Sequence, residues 1–386
     1  MLRIGVIGFG VQGKLYAGIL SGTAQGNWPL LPRPNGCVLT AVSARDGRCK
    51  GEIEAIPNVR YFSDWRELIA SDACDAVVIT VPHFAHHEIA VAALETGKHV
   101  LCEKPMTIRA DRGEAILRAA ERSEGKLAVM FNQRSNPLLR KIKDLIESGE
   151  LGVLRNSYYM TNNWWRPDNY YGSGWRGTWS GEGGGILVNQ ACHPLDLWIW
   201  LCGMPEAVFA SCREGAYRSI DVENDVMVLA RYADGARGIF TTCSHDLMGT
   251  DRLELAFDKG KVILEGNRKA TILRYAKTEQ GFGAVYDFRT FSGVLAKTPD
   301  AVYTKEELTD DSAFADDYVR MFENFAAYAA GKAPAIACGE DGLAQVRLAN
   351  AIQLSGWTGR EVQLPCSAEE YNACLERKMR EESGSK

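Results

Sequence analysis

The chain has 386 residues, 46% of them hydrophobic, and its 44 Lys and Arg against 49 Asp and Glu give a formal net charge of −5. That length suits two domains with separate cores, while the interspersed charges leave no basic tail or cluster for nucleic acid and no apolar run long enough to span a bilayer. Eleven cysteines scattered without a C-x-x-C pair argue against a disulfide framework or zinc site, so reduced thiols and no metal are expected.

The chain begins with LRIGVIGFGVQG, a short apolar run closed by Gly8, Gly10 and Gly13 in G-x-G-x-x-G spacing and followed by helix-like KLYAGIL. In such a fingerprint the first glycine makes the tight turn, the second lets backbone N–H groups approach a pyrophosphate, and the third lets helix and strand pack closely. Gly8, Phe9, Gly10, Val11, Gln12 and Gly13 are therefore the expected phosphate loop. Because Leu2 to Gly8 is already strand, no signal peptide is expected before it, and the expected location is the cytoplasm.

A Pro- and Gly-rich loop over 21–36 precedes the strand VLTAVSA, at whose end dinucleotide folds place an acidic residue on the adenosine ribose. Ala44 and Arg45 stand there instead, which favours the 2′-phosphate of NADP over NAD unless Asp46 supplies the carboxylate. AVVITV, HVLCE and LAVMFN read as further strands, and AHHEIAVAALETG and ADRGEAILRAAERSEG as the helices between them. The repetition of strand and helix predicts a Rossmann-type, doubly wound parallel sheet over residues 1–132. Val81, Pro82 and His83 end one strand at the expected cofactor mouth. Glu103, Lys104 and Pro105 end the next, where open α/β sheets bind ligands and where a cis Lys104–Pro105 bond suits the turn.

Past Asn136 the pattern changes. An amphipathic helix, PLLRKIKDLIESG, leads to longer strands, VLRNSYYMTNN, AVFASCR, DVMVLARYA, ARGIFTTCS, RLELAF and KVILEG, with turns at Ala233-Asp234-Gly235 and Asp258-Lys259-Gly260. These predict a second α/β domain over 133–386 with a large, open, mainly antiparallel sheet. Two helices, SAFADDYVRMFENFAAYAAG and EDGLAQVRLANAIQLSGWTG, follow, and then a polar tail from Lys378.

Between the first two of those strands lies NNWWRPDNYYGSGWRGTWSGEGGGILVNQACHPLDLW. Its Trp164, Trp165, Arg166, Tyr170, Trp175 and Arg176 suit a carbohydrate, since aromatic faces stack on sugar C–H faces and guanidinium groups bind hydroxyl pairs. The same aromatics also suit packing between domains or subunits. Asn189, His193 and Asp196, spaced four and three, would share one helical face, with Gly183 to Gly185 letting the backbone approach a ligand at the helix start. Cys192 reads as packing.

Taken together, GFGVQG, VPHFAHHEIAVAALETGKHVLCEKP, FNQRSNP, GEGGGILVNQACHPLD, DKGKVILEG and NAIQLSGWTGREVQLP resemble the glucose-fructose oxidoreductase, inositol dehydrogenase and MocA family, written Gfo/Idh/MocA. The resemblance implies NAD or NADP as cofactor, with Glu103 and Lys104 reaching it as well, and a homodimer or homotetramer built through the C-terminal sheet. It implies oxidation of a sugar, cyclitol or glycoside hydroxyl, such as the 3-hydroxyl of a glucoside. Lys104 would stabilise the alkoxide and His193 would take the proton. Asn189, where many members carry aspartate, would orient that ring, and Asn132 and Arg134 would join the substrate residues. Two other functions share the resemblance: a glycosidase that oxidises its substrate transiently, and a cofactor-binding regulator without turnover.

Overall fold

The computed structural model describes residues 1–45, 47–172 and 174–383; Asp46, the alternative ribose carboxylate, lies outside them. Six parallel strands form the first sheet: β1 (Leu2–Ile7), β2 (Cys37–Ser43), β3 (Arg60–Phe62), β4 (Ala76–Ile79), β5 (His99–Cys102) and β6 (Leu127–Val129). Their order is β3-β2-β1-β4-β5-β6. The order reverses direction between β1 and β4, and ligands bind in the crevice at the carboxyl ends of the strands there. Gly8, Val81–His83 and Glu103–Lys104 all follow strands that end at this rim.

Two glycines of the loop are required by contacts that a side chain would break. Gly8 has φ +100°, which L side chains rarely adopt. A Cβ on Gly13 would lie 2.1 Å from the Gly8 carbonyl oxygen, so the helix Val11–Ser21 can approach β1 only without it.

The second sheet holds nine strands: β7 (Leu154–Thr161), β8 (Ala207–Glu214), β9 (Glu223–Arg231), β10 (Arg237–Cys243), β11 (Asp251–Phe257), β12 (Gly260–Glu265), β13 (Lys269–Tyr275), β14 (Tyr303–Thr309) and β15 (Val362–Gln363). The order is β14-β13-β12-β11-β7-β10-β9-β8-β15; β7 and β10 pair in parallel, and the other neighbours are antiparallel. Its strands alternate buried and exposed residues, as expected of a sheet with one face on a core. The helices Cys192–Cys202 and Gly339–Thr358 cover that core face, with Trp198, Leu201, Leu348 and Ile352 among the residues packed there.

The helix Phe314–Ala329 packs elsewhere. Its Tyr318, Met321, Phe322 and Phe325 join the core of the parallel sheet with Tyr16 and Leu39, and Val129 N–H donates to the Ala337 carbonyl at 3.0 Å. The chain thus returns to the first sheet after building the second. Of the polar segment expected from Lys378, residues 378–383 complete the helix Ala368–Ser383, anchored by buried Tyr371 and Leu375 one turn apart, and the remainder lies outside the described residues.

Replacing Gly13 by Ala should lower unfolding stability by about 1–3 kcal/mol through overpacking, and it should weaken NADH binding in parallel. Urea unfolding and NADH fluorescence titration read the two effects.

Candidate active site

The rim of the parallel sheet and the turn before the helix Cys192–Cys202 enclose a cleft of about 250 Å³. Gln12, Glu103, Lys104, Asn132, Trp164, Arg166, Asn189 and His193 line it, together with Met130, Gln133, Gln190, Phe314 and Tyr318. Residues from positions 12 to 318 therefore meet in one space.

Lys104 follows β5, and its peptide bond to Pro105 is cis. Its Nζ donates to the backbone carbonyl of Asn189 at 2.9 Å, and the Cys192 thiol donates to the same oxygen at 2.9 Å. Burial disfavours the ammonium, but the neighbouring Cys192, Glu103 and Tyr170 outweigh this and hold its pKa above the ordinary value, so it stays charged. Cys192 is more than packing here. Burial pushes its thiol up to about 11, so it remains a neutral donor beside the lysine. His86 braces the lysine turn from below, with Nε2 2.8 Å from the Val81 carbonyl oxygen and Nδ1 2.9 Å from that of Pro105.

Glu103 turns inward. Its carboxylate accepts from the Tyr16 hydroxyl and from the backbone N–H of Lys104 at 3.1 Å. Tyr16 packs in turn against Tyr318 and Phe322 of the helix Phe314–Ala329. That helix gives Phe314 and Tyr318 to the cleft, residues which the sequence marks only as part of an amphipathic pattern.

His193 is half-buried at the start of the helix Cys192–Cys202, and its Nδ1 is buried with no hydrogen-bond partner among the described residues. Burial and the Lys104 charge drive its pKa well below the ordinary value, which leaves the ring neutral near pH 7. Asn189 does not share a helical face with it, because the helix starts only at Cys192 and residues 186–191 form turns. The Asn189 amide turns away from the ring: its Nδ2 donates to Tyr170 Oη at 3.0 Å and to Glu182 Oε1. Asp196 is buried and does not line the cleft. It takes Arg134 Nη2 at 2.7 Å and Nε at 2.8 Å, and Asp341 takes Arg134 Nη1 at 2.9 Å.

Arg134 therefore does not line the cleft; with 4% of its side chain exposed, its guanidinium is committed to the buried Asp196 and the part-exposed Asp341. Gly183 to Gly185 likewise meet protein where the sequence suggests ligand. A Cβ on Gly183 would fall 2.5 Å from Ile108, and one on Gly185 would fall 1.9 Å from the Glu223 carbonyl oxygen.

Of the sequence-predicted residues of this segment, Trp164 and Arg166 line the cleft, whereas Trp165, Tyr170, Trp175 and Arg176 do not. Arg166 and Arg176 flank the Tyr170 ring, with guanidinium carbons 5.2 and 4.5 Å from its centroid. Trp175 packs edge-on against His83, itself buried with Nδ1 3.3 Å from the Glu182 carbonyl oxygen. Trp179 is buried against Trp357, and Trp165 is exposed. Glu182, behind the cleft, is a further residue that the sequence does not single out. It is 2% exposed, accepts from Gly177 N–H at 2.8 Å as well as from Asn189, and burial raises its pKa to about 7.

The phosphate loop fits a dinucleotide. Gly10 precedes the helix Val11–Ser21 with no side-chain cap and no acidic residue in the first turn, and a Cβ built on it would meet nothing within 4 Å. Unlike Gly8 and Gly13, its missing side chain opens space outside the protein, beside free N–H groups that suit a pyrophosphate. Val11 is exposed on the same turn, and Phe9 is buried beneath it. Ala44 is buried at the end of β2 and Arg45 is exposed beside it.

Two family descriptions match the chain: the oxidoreductase family with an NAD-binding Rossmann fold over residues 2–131, and the Gfo/Idh/MocA C-terminal domain over 139–263. The chain belongs to the Gfo/Idh/MocA oxidoreductases, a family of NAD(P)-dependent enzymes. Levoglucosan dehydrogenase of Pseudarthrobacter phenanthrenivorans is 27% identical over 321 residues, 74% of this chain and 80% of that protein. Inositol 2-dehydrogenase of Rhizobium meliloti is 25% identical over 370 residues, 94% of this chain and 99% of that one. Among solved structures, a levoglucosan dehydrogenase in complex with NADH and levoglucosan superposes with a TM-score of 0.76 at 22% identity, covering 94% of this chain and 99% of its own. The WlbA dehydrogenase of Bordetella pertussis, in complex with NADH and UDP-GlcNAcA, gives 0.74 at 24% identity, covering 95% and 99%. At these identities the superpositions establish the fold.

Replacing Arg134 by Met leaves the buried Asp196 without its cation and should lower stability by about 3–5 kcal/mol. Guanidinium unfolding measures the loss, and unchanged stability would contradict a structural role for the Arg134 ion pairs.

Proposed function

We propose that this enzyme oxidises a hydroxyl of a sugar, cyclitol or glycoside at the cleft between Lys104 and His193. One observation carries the reading: a charged lysine and a neutral histidine line the same small cleft, and the histidine has a buried nitrogen with no hydrogen-bond partner among the described residues. Gly8 to Gly13, Ala44 with Arg45, Val81 to His83 and Glu103 would hold the nicotinamide cofactor, which when bound accepts or returns the hydride. Arg45, in place of a ribose carboxylate, favours NADP.

The remaining chemistry belongs to the protein. Lys104 donates to the substrate hydroxyl oxygen and stabilises the charge that grows there as the proton leaves. His193 takes that proton; an uncharged ring is ready for it at neutral pH, and the nearby ammonium keeps it so. Trp164 supplies an apolar face for the ring, and Arg166 with Asn132 and Gln133 supplies polar groups around it. The names of the relatives, levoglucosan and inositol dehydrogenases among them, support polyhydroxylated rings as the substrate class. Eleven free thiols suit a reducing compartment, for which we propose the cytoplasm; among the described residues no helix is long and apolar enough to cross a membrane.

The test is a panel of free sugars, cyclitols and aryl glucosides offered with NAD⁺ or NADP⁺. A product two mass units lighter with equal reduced cofactor is expected, whereas aglycone release without reduced cofactor would show transient oxidation. His193→Ala should lower kcat about 10²–10⁴-fold. Because the folded ring's pKa is depressed, the wild-type kcat at saturating sugar should stay level from alkaline pH down through 6.5 and fall only below it. An acid limb at or above pH 6.5, or one that survives in His193→Ala, would contradict the assignment.

The open face of the nine-stranded sheet supports self-association. Phe209, Leu229, Ile239 and Tyr158 are cross-strand neighbours in one exposed row over β8, β9, β10 and β7, and Met227 and Met160 flank Thr241 in the next. An apolar face of this extent calls for a partner, and a second copy offers the same two rows about a two-fold axis. Met227→Glu with Leu229→Glu should reduce the mass found by light scattering to that of one chain, and a monomeric wild type would refute the interface.

A further inference from the structure

We infer that Glu182 is a positioning residue for substrate recognition: it fixes the Asn189 amide so that the side-chain carbonyl faces the cleft. This rests on the cleft being the carbohydrate site proposed above. Both amide protons of Asn189 are consumed away from the cleft, one by Glu182 Oε1 and one by Tyr170 Oη. Neither acceptor is free to move. Glu182 is buried, with its second oxygen on Gly177 N–H, and the Tyr170 ring contacts the guanidinium groups of both Arg166 and Arg176 while its hydroxyl also accepts from Gln190 Nε2 at 2.9 Å.

An amide has one donor end and one acceptor end. With Nδ2 doubly committed, Oδ1 is what Asn189, a lining residue, can offer a ligand. The cleft then presents an acceptor at Asn189 beside the donor at Lys104 Nζ, which hangs on the backbone carbonyl of the same residue. A donor and an acceptor carried by one residue's two carbonyl groups suit two neighbouring hydroxyls, one giving its proton and one receiving, as on a polyol ring. Selection is for a hydroxyl next to the one oxidised.

Glu182→Gln tests this, because it keeps shape and reverses polarity. The introduced side-chain amide must still accept Gly177 N–H with its oxygen, so its NH2 group meets Asn189, which has to turn its own carbonyl inward and its own NH2 to the cleft. Loss of one substrate hydrogen bond should raise the KM and the Kd for the sugar at least about tenfold, with kcat within about threefold and NADH affinity unchanged. Adding Asn189→Asp to Glu182→Gln restores an acceptor on both sides and should bring KM back to within about threefold of wild type. Equal sugar Kd for wild type and Glu182→Gln, or a double variant no better than the single, overturns the inference. Sugar Kd is read by tryptophan fluorescence, independently of turnover, so a wild type that binds sugar without oxidising it counts against the proposed reaction alone. Should Glu182→Gln not fold, Tyr170→Phe removes the other acceptor; a sugar KM raised at least about threefold supports the inference, and an unchanged one overturns it.

Discussion

A buried ammonium must find oxygen, and the Asn189 backbone carbonyl is where Lys104 finds it. That bond ties the end of β5 to the turn that launches the helix Cys192–Cys202, and so joins the parallel sheet to the elements over the nine-stranded one. The cleft exists because these two parts meet there. Much of the surrounding sequence serves to hold the two ends at the right separation. His86 and Glu103 fix the lysine turn, while Gly183 to Gly185 let the opposite turn sit against Ile108 and the Glu223 backbone.

Charge is distributed so that the two reacting groups differ. Lys104 keeps its proton because Glu103 and the polar groups around it favour the cation, and that same cation, with burial, keeps His193 neutral. A donor and a proton acceptor thus coexist within one small space at one pH. The carboxylates nearby do not reach the imidazole: Glu182 is bonded to Asn189 and Gly177, and Asp196 is held by Arg134.

Five of the six parallel strands are legible in the sequence as apolar runs, with the glycine spacing marking the first turn, whereas β3, the three-residue RYF at the sheet edge, carries no such signal. Lys104 and His193 are legible as members of motifs. What the sequence does not reveal is contact between distant segments. Arg134 and Asp196 look like polar site residues until their mutual ion pair is seen, and Asn189 looks like a helix-face partner of His193 because residue spacing cannot say that the helix begins three residues later. Phe314 and Tyr318 reach the cleft only because their helix returns to the first sheet, which amphipathic periodicity cannot indicate. Glu182 sits in plain view before three glycines; the only local signal is an acidic side chain at a position the packing buries.

Deuterium tracing tests the central claim most directly. The enzyme is incubated with carbon-deuterated glucose, inositol and methyl glucoside and with NAD⁺ or NADP⁺, and the reduced cofactor is examined by mass spectrometry and NMR. The expected result is one deuterium at the nicotinamide C4 position for a substrate that is oxidised, absent when Lys104 is replaced by Met. Reduced cofactor carrying no deuterium, or deuterium transfer undiminished in Lys104→Met, would contradict hydride transfer at this cleft.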